Sequence, residues 1–302
     1  MKRGEKRLFL AVLVIFAAAL VGMMVQRVWG SDTPRVYRVS VLLDGGSGEY
    51  WSNFRAGLNQ AAVELNVDLR LIGRYDGEET QAAVLRREWE GDTDGVVVIP
   101  QDGPALAAAL EEAPAKLAVS VMGPALASDR VDSYVAPDYD QVGRQLATAA
   151  AALGQEHCML YLSPDAGAAA GQIALSLMAG LQELGIPCTR VTIEPENLAA
   201  PAGAGALLAV EPTVTEALCQ LPAAAGRICG VGTSGRLLHY LEDGTVSALV
   251  VQSDYDAGYL SLSRVVAALT KGDTRDVSLE SYTATADNLF DDPMANILFA
   301  VY

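Results

Sequence analysis

Positive charge and histidine are what this chain has least of. Its 302 residues carry 21 Lys and Arg against 37 Asp and Glu, a formal net charge of −16, and two histidines, His157 and His239. A surface of that sign cannot replace the counterions of a phosphate backbone, so nucleic acid is excluded as a partner. With two imidazoles and no Cys-x-x-Cys pair, neither a metal site nor a cofactor is expected. Catalytic constellations are missing as well. There is no Gly-x-Ser-x-Gly elbow, and Ser163-Pro164-Asp165 and Thr233-Ser234-Gly235 lack a His partner. The carboxylate pairs Asp138/Asp140 and Asp291-Asp292 stand in loops or at helix starts, where capping accounts for them. The chain reads as a non-enzyme.

What is present begins with a targeting segment. Lys2, Arg3, Lys6 and Arg7 precede an uncharged apolar run from Leu8 to Val25. That run is about long enough for a bilayer core and longer than the roughly 7–15 residues of a signal-peptide core. The basic flank keeps the N-terminus cytoplasmic and puts everything after Arg27 outside. Residues 1–30 are expected to be an uncleaved signal anchor; a cleaved signal peptide, with a secreted product, is the alternative. In an oxidising compartment the four cysteines, Cys158, Cys188, Cys219 and Cys229, permit two disulfides. Cys219 and Cys229 close a short loop and form the expected bridge, ahead of Cys158–Cys188; buried thiols are the other reading.

Beyond the anchor, short Val/Leu/Ile runs alternate with Ala/Leu-rich amphipathic stretches. Strands are predicted at 37–43, 67–73, 95–99, 117–121, 158–162, 188–193, 206–210, 228–232 and 247–252, with helices at 49–65, 78–90, 103–113, 139–153, 168–184, 213–221, 234–242 and 254–270. This is an α/β pattern of βαβ units, and runs without polar alternation suit parallel strands covered on both faces. The pattern occurs twice. "FRAGLNQAAVELNVDLRLI" matches "LMAGLQELGIPCTRVTI", and "GVVVIPQDGPALAAAL" matches "ALLAVEPTVTEAL". A repeat roughly 120 residues long is too large for a solenoid and implies two similar lobes.

The first strand runs into "DGGSGEYWSNFRAGL", residues 44–58. A dinucleotide fingerprint would need a third glycine where Trp51 stands, and a Walker loop would need a Lys. Glu49 would also repel a phosphate at that helix N-terminus. The stretch is not a phosphate cradle. Tyr50 and Trp51 instead offer flat faces at a strand's carboxyl end, where open α/β sheets bind ligands and where a sugar ring would stack. Ordinary core packing of the two rings is the competing reading.

Taken in order, "YRVSVLLDGGSGEYWSNFRAGL", "TDGVVVIPQD", "VAPDYDQVGRQLA", "GVGTSGRLLHYLEDGTVSALVVQSDYDAGYLSLSRVVAALTKG" and "YTATADN" resemble the type I periplasmic sugar-binding proteins over roughly residues 37–290. The resemblance implies two Rossmann-like lobes with parallel sheets joined by three crossovers, 37–137 plus 253–282 and 138–252 plus 283–302. It implies a binding protein without catalytic activity. Tyr50 and Trp51 match the family's stacking aromatics, Asp138 its lobe-joining Asp, and Gln252 its ligand-bonding Gln near the last crossover. With Gln101, Glu211 and Thr233 these make up the expected ligand contacts. The family's usual polar groups are replaced by Ile99, Met122-Gly123, Glu211-Pro212 and Val231-Gly232. The implied role is capture of a small sugar-like solute for an ABC importer, or, as the alternative, ligand sensing beside a membrane kinase.

Overall fold

The apolar runs fold as strands and the Ala/Leu-rich stretches as helices. The structure is a computed structural model that describes residues 35–43, 51–73, 80–194 and 205–299, together with 16, 17 and 19. The chain divides into Met1–Tyr37 and Arg38–Tyr302. In the first unit, residues 16, 17 and 19 are helical, and the rest of the expected anchor run 8–25 lies outside the described residues. Among the described residues no helix is long and apolar enough to cross a membrane.

From residue 37 the chain forms β1 (Tyr37–Leu42), α1 (Ser52–Leu65), β2 (Val67–Ile72), α2 (Gln81–Glu90), β3 (Gly95–Val98), α3 (Gly103–Leu110), β4 (Ala118–Met122) and β5 (Ser133–Pro137). There follow α4 (Tyr139–Ala152), β6 (Cys158–Leu162), α5 (Ala168–Glu183), β7 (Cys188–Thr192), β8 (Ala206–Ala209), α6 (Pro212–Cys219), β9 (Ile228–Val231) and α7 (Gly235–Glu242). The chain ends with β10 (Val246–Gln252), α8 (Asp254–Lys271), β11 (Val277–Leu279), β12 (Ser281–Ala284) and α9 (Met294–Leu298).

The strands make two six-stranded sheets, β11-β5-β4-β3-β1-β2 and β12-β10-β9-β8-β6-β7. The winding is the same in both, as the sequence repeat requires. The pairs β1–β3, β3–β4, β4–β5 and β5–β11 are parallel, as are β6–β7, β6–β8, β8–β9 and β9–β10. β12 departs from the expected parallel arrangement: it runs antiparallel to β10, with Val250 opposite Thr283. The reason is local, because β12 follows β11 with one intervening residue and enters the second sheet without a crossover helix.

Both faces of each sheet are covered. In the first, Val39 and Val41 pack with Phe54, Leu58, Leu262 and Val265. On its other face Leu42, Val96 and Val98 meet Leu85, Leu106 and Leu110. In the second, Leu160 and Leu162 face α4 and α5, while Tyr161 points to the side of α6 and α7. This two-sided burial is why the inner strands read as unbroken apolar runs, while the edge strands β2 and β7 are partly exposed and mixed with polar residues. It also corrects the expected Cys219–Cys229 bridge, since all four cysteines are thiols. Cys219 belongs to the layer with α6 and α7, and its Sγ donates to the Thr215 carbonyl at 3.1 Å. Cys229 points into the layer with α4 and α5 on the opposite face of the same sheet. Burial pushes both thiols up to about 12, so neither supplies a thiolate. Cys158 and Cys188 are register neighbours on β6 and β7, and they too are thiols.

Candidate ligand-binding site

In an open α/β sheet the backbone groups at the carboxyl ends of the strands are left free to meet a ligand. Here those ends from both sheets border one cavity of about 190 Å³. The first sheet contributes Met122 at the end of β4, Gly123 after it, and Val135 and Pro137 of β5. The second contributes Val210 and Pro212 after β8, Val231 to Thr233 at β9, and Val250 to Gln252 at β10. Tyr139 and Val142 of α4, Ile173 of α5, Asp254 of α8 and Ser281 of β12 complete it. Gly232 is required at the floor. Its φ is +127°, and a Cβ there would lie 2.6 Å from Leu237 Cδ1 and 3.1 Å from Pro212 Cβ.

The wall is mostly hydrocarbon, and its polar groups gather on one side. The Thr233 hydroxyl donates to Asp254 Oδ2. Ser253, not Asp254, caps α8, with its hydroxyl accepting from Asp256 N–H at 3.1 Å. Asp254 is thus free to face the cavity. Burial raises its carboxyl to about 6, with the Thr233 hydrogen bond pulling the other way. Ser281 is 7% exposed, and its Oγ is buried without a hydrogen-bond partner. Tyr139, the other titratable group among the described residues of the wall, is pushed up to about 12 by burial.

These features match what a family comparison reports. A model described as a periplasmic binding protein domain matches residues 39–274. The chain belongs to that family. No curated protein sequence matches it. Among solved structures it resembles a carbohydrate-transporter solute-binding protein from Agrobacterium radiobacter in complex with D-arabinose. The identity is 18% and the TM-score 0.77, over 87% of this chain and 99% of that one. A solute-binding protein from Agrobacterium vitis with bound D-fucose is 17% identical, TM-score 0.76, over 86% and 99%. A periplasmic ribose ABC transporter protein from Conexibacter woesei is 18% identical, TM-score 0.72, over 88% and 95%. Family membership gives this binding protein a type I periplasmic fold and an extracytoplasmic place, and makes it a non-enzyme.

The binding protein brings some of the expected contacts together and sets others apart. Thr233 and Gln252 line the cavity. Asp138 caps α4, its Oδ1 accepting from Gln141 N–H at 3.0 Å, and sits between the lining residues Pro137 and Tyr139. Glu211 is occupied internally: it accepts from Ser163 N–H at 2.8 Å and from Ser163 Oγ at 2.6 Å, tying the ends of β6 and β8. Gln101 is exposed; its backbone N–H donates to Oε1 of the buried Gln81 at 2.9 Å. Trp51 is 6% exposed within the apolar layer of the first sheet and is not part of the described cavity wall. Tyr50 lies outside the described residues.

Asp254, Tyr139 and Ser281 were not anticipated from the sequence. Asp254 had a signal, standing two residues after Gln252 in "VVQSDYD". Its raised carboxyl has a consequence for stability. The folded state keeps a proton that the unfolded chain, with its ordinary value near 4, releases. The ligand-free protein therefore loses stability as pH rises from about 4 to about 6. Asp254→Asn removes this loss. The variant is expected to match the parent near pH 4 and exceed it at pH 7.5 by about 3 kcal/mol at most. Melting curves at the two pH values test this, and an equal difference at both contradicts it.

Proposed function

We propose that this chain is the extracytoplasmic solute-binding component of an ABC importer. The two lobes, 37–137 plus 253–282 and 138–252 plus 283–302, close by a hinge on a small sugar-like ligand, and the 8–25 run holds the protein to the membrane. The observation that carries the reading is the cavity itself. It lies at the carboxyl ends of both sheets and is bordered by Pro137, Gln252 and Ser281, one residue at each passage of the chain between them. The sugars bound by similar structures supply the ligand class.

Thermal melting against a panel of five- and six-membered rings, neutral and aminated, tests it. A ligand at about 100 times its Kd stabilises the folded state by about 2.7 kcal/mol. For a body of this size that is a rise of roughly 5–10 °C. A panel in which no ring of either kind moves the transition overturns solute capture.

A further inference from the structure

Among the described residues lining the cavity, Asp254 is the one charged side chain, and no Lys, Arg or His lines the wall to neutralise it. Its hydrogen-bond partner there is a single neutral hydroxyl, that of Thr233. A carboxylate so placed has lost part of its water and has no counter-ion, which makes it a strong acceptor for any cation that fits. Capping does not explain it, because Ser253 holds that position and Asp256 is the first-turn acid that faces solvent.

The rest of the wall limits what such a cation can be. Met122, Val135, Val142, Ile173, Val210 and Val231 offer no hydrogen bonds from their side chains. A ring with hydroxyls all round would leave most of them unpaired, at about 1–3 kcal/mol each. Polar partners for one or two further groups do exist. The Gln252 amide is on the same side, and Ser281 Oγ has no partner at all. The volume of about 190 Å³ equals roughly six waters of liquid, so the ligand is small.

We propose that the ligand of this cleft is a protonated amine on a small, hydroxyl-poor ring, its ammonium held by Asp254 and Thr233 and its apolar body by the valine-rich wall. This rests on the solute-capture reading and narrows its ligand from neutral sugars to cationic ones.

The test is calorimetric titration of the full chain at pH 7.5 with matched probes: cyclohexylamine against cyclohexanol, and glucosamine against glucose. In each pair the amine is expected to bind at least tenfold more tightly than the alcohol, and cyclohexylamine more tightly than glucosamine. Asp254→Asn is expected to remove the amine's advantage over its alcohol in both pairs. Thr233→Val, which keeps the carboxylate but deletes its hydroxyl partner, is expected to retain a preference for the amine. Neutral rings that bind as tightly as their amines overturn the cationic ligand and leave solute capture standing. Failure of all four probes overturns the proposal, and the wider ring panel then decides the capture reading separately. An amine preference that survives in Asp254→Asn also overturns it, since the charge would then be read elsewhere.

Discussion

A single methyl group at position 258 is expected to cost this protein a large share of its stability. α1 and α8 lie against each other with a glycine from each at the crossing. A Cβ on Gly258 would sit 2.1 Å from the Phe54 carbonyl oxygen, and one on Gly57 would sit 2.0 Å from that of Tyr255. Both obstacles are backbone, so no rotamer change relieves them. The helices must separate, and the layer beneath them, with Phe54, Leu58, Leu262 and Val265, loosens. Overpacking usually costs about 1–3 kcal/mol, and more where backbone must move. Gly258→Ala is therefore expected to lose about 3–5 kcal/mol from a total of about 5–15. Gly171→Ala is the control. It lies on α5 with nothing within 4 Å of its added Cβ, and the change is expected to stabilise by up to about 1 kcal/mol. Urea unfolding of both variants reads the difference, and equal midpoints would mean that the crossing is not as close as the glycines imply.

Trp51→Ala is expected to be almost as damaging, and for a reason unrelated to ligand. The indole packs with Val39, Val41 and Leu43 and meets the Phe54 ring edge-on, with centroids 5.3 Å apart and planes at 66°. Truncating a buried Trp leaves a cavity and costs about 3–5 kcal/mol. Stability should fall by that amount while the folded fraction keeps its affinity for whichever ring the panel identifies. Unfolding and calorimetric titration of the same variant separate the roles. A lost affinity with an unchanged unfolding midpoint would return Trp51 to the ligand wall.

Close-packed glycines also show how much of the fold was legible. The matching strings "FRAGL" and "LMAGL" of the internal repeat align Gly57 with Gly180, and each sits where two helices touch: Gly57 against α8, and Gly180 with its added Cβ 2.9 Å from Ala147 of α4. The nine predicted runs all became strands; in seven two-sided burial leaves a continuous Val/Leu/Ile signal, whereas β2 and β7 are half-exposed edge strands with polar residues among the apolar ones. β5, β11 and β12 were missed for the converse reason. "SYVAP", "VSL" and "SYTA" are short, partly exposed and mixed with Ser, Thr and Pro, so neither run length nor alternation marks them.

The site was less legible than the fold. Gln252 and Thr233, which line the cavity, could be picked out because one ends β10 and the other follows β9 by two residues, in strands that can be counted along the chain. Trp51 left two readings open because a bulky ring just after a strand looks the same in sequence whether it faces a ligand or the core. Asp254 and Ser281 acquire meaning only through what surrounds them. One loses its water to a wall assembled from six other segments, and the other loses its partner.

The three passages between the sheets are short: Pro137 to Tyr139, Gln252 to Asp254, and Leu279 to Ser281. Each brings a residue to the cavity rim. A molecule held there sits at the fulcrum, not at the jaws. A rotation of a few degrees about these strands displaces the bound molecule little and sweeps the distant helix ends through a far wider arc. Under the proposed hinge closure the cavity is the short arm of a lever, and a partner gripping the outer surfaces could tell filled from empty without touching the ligand.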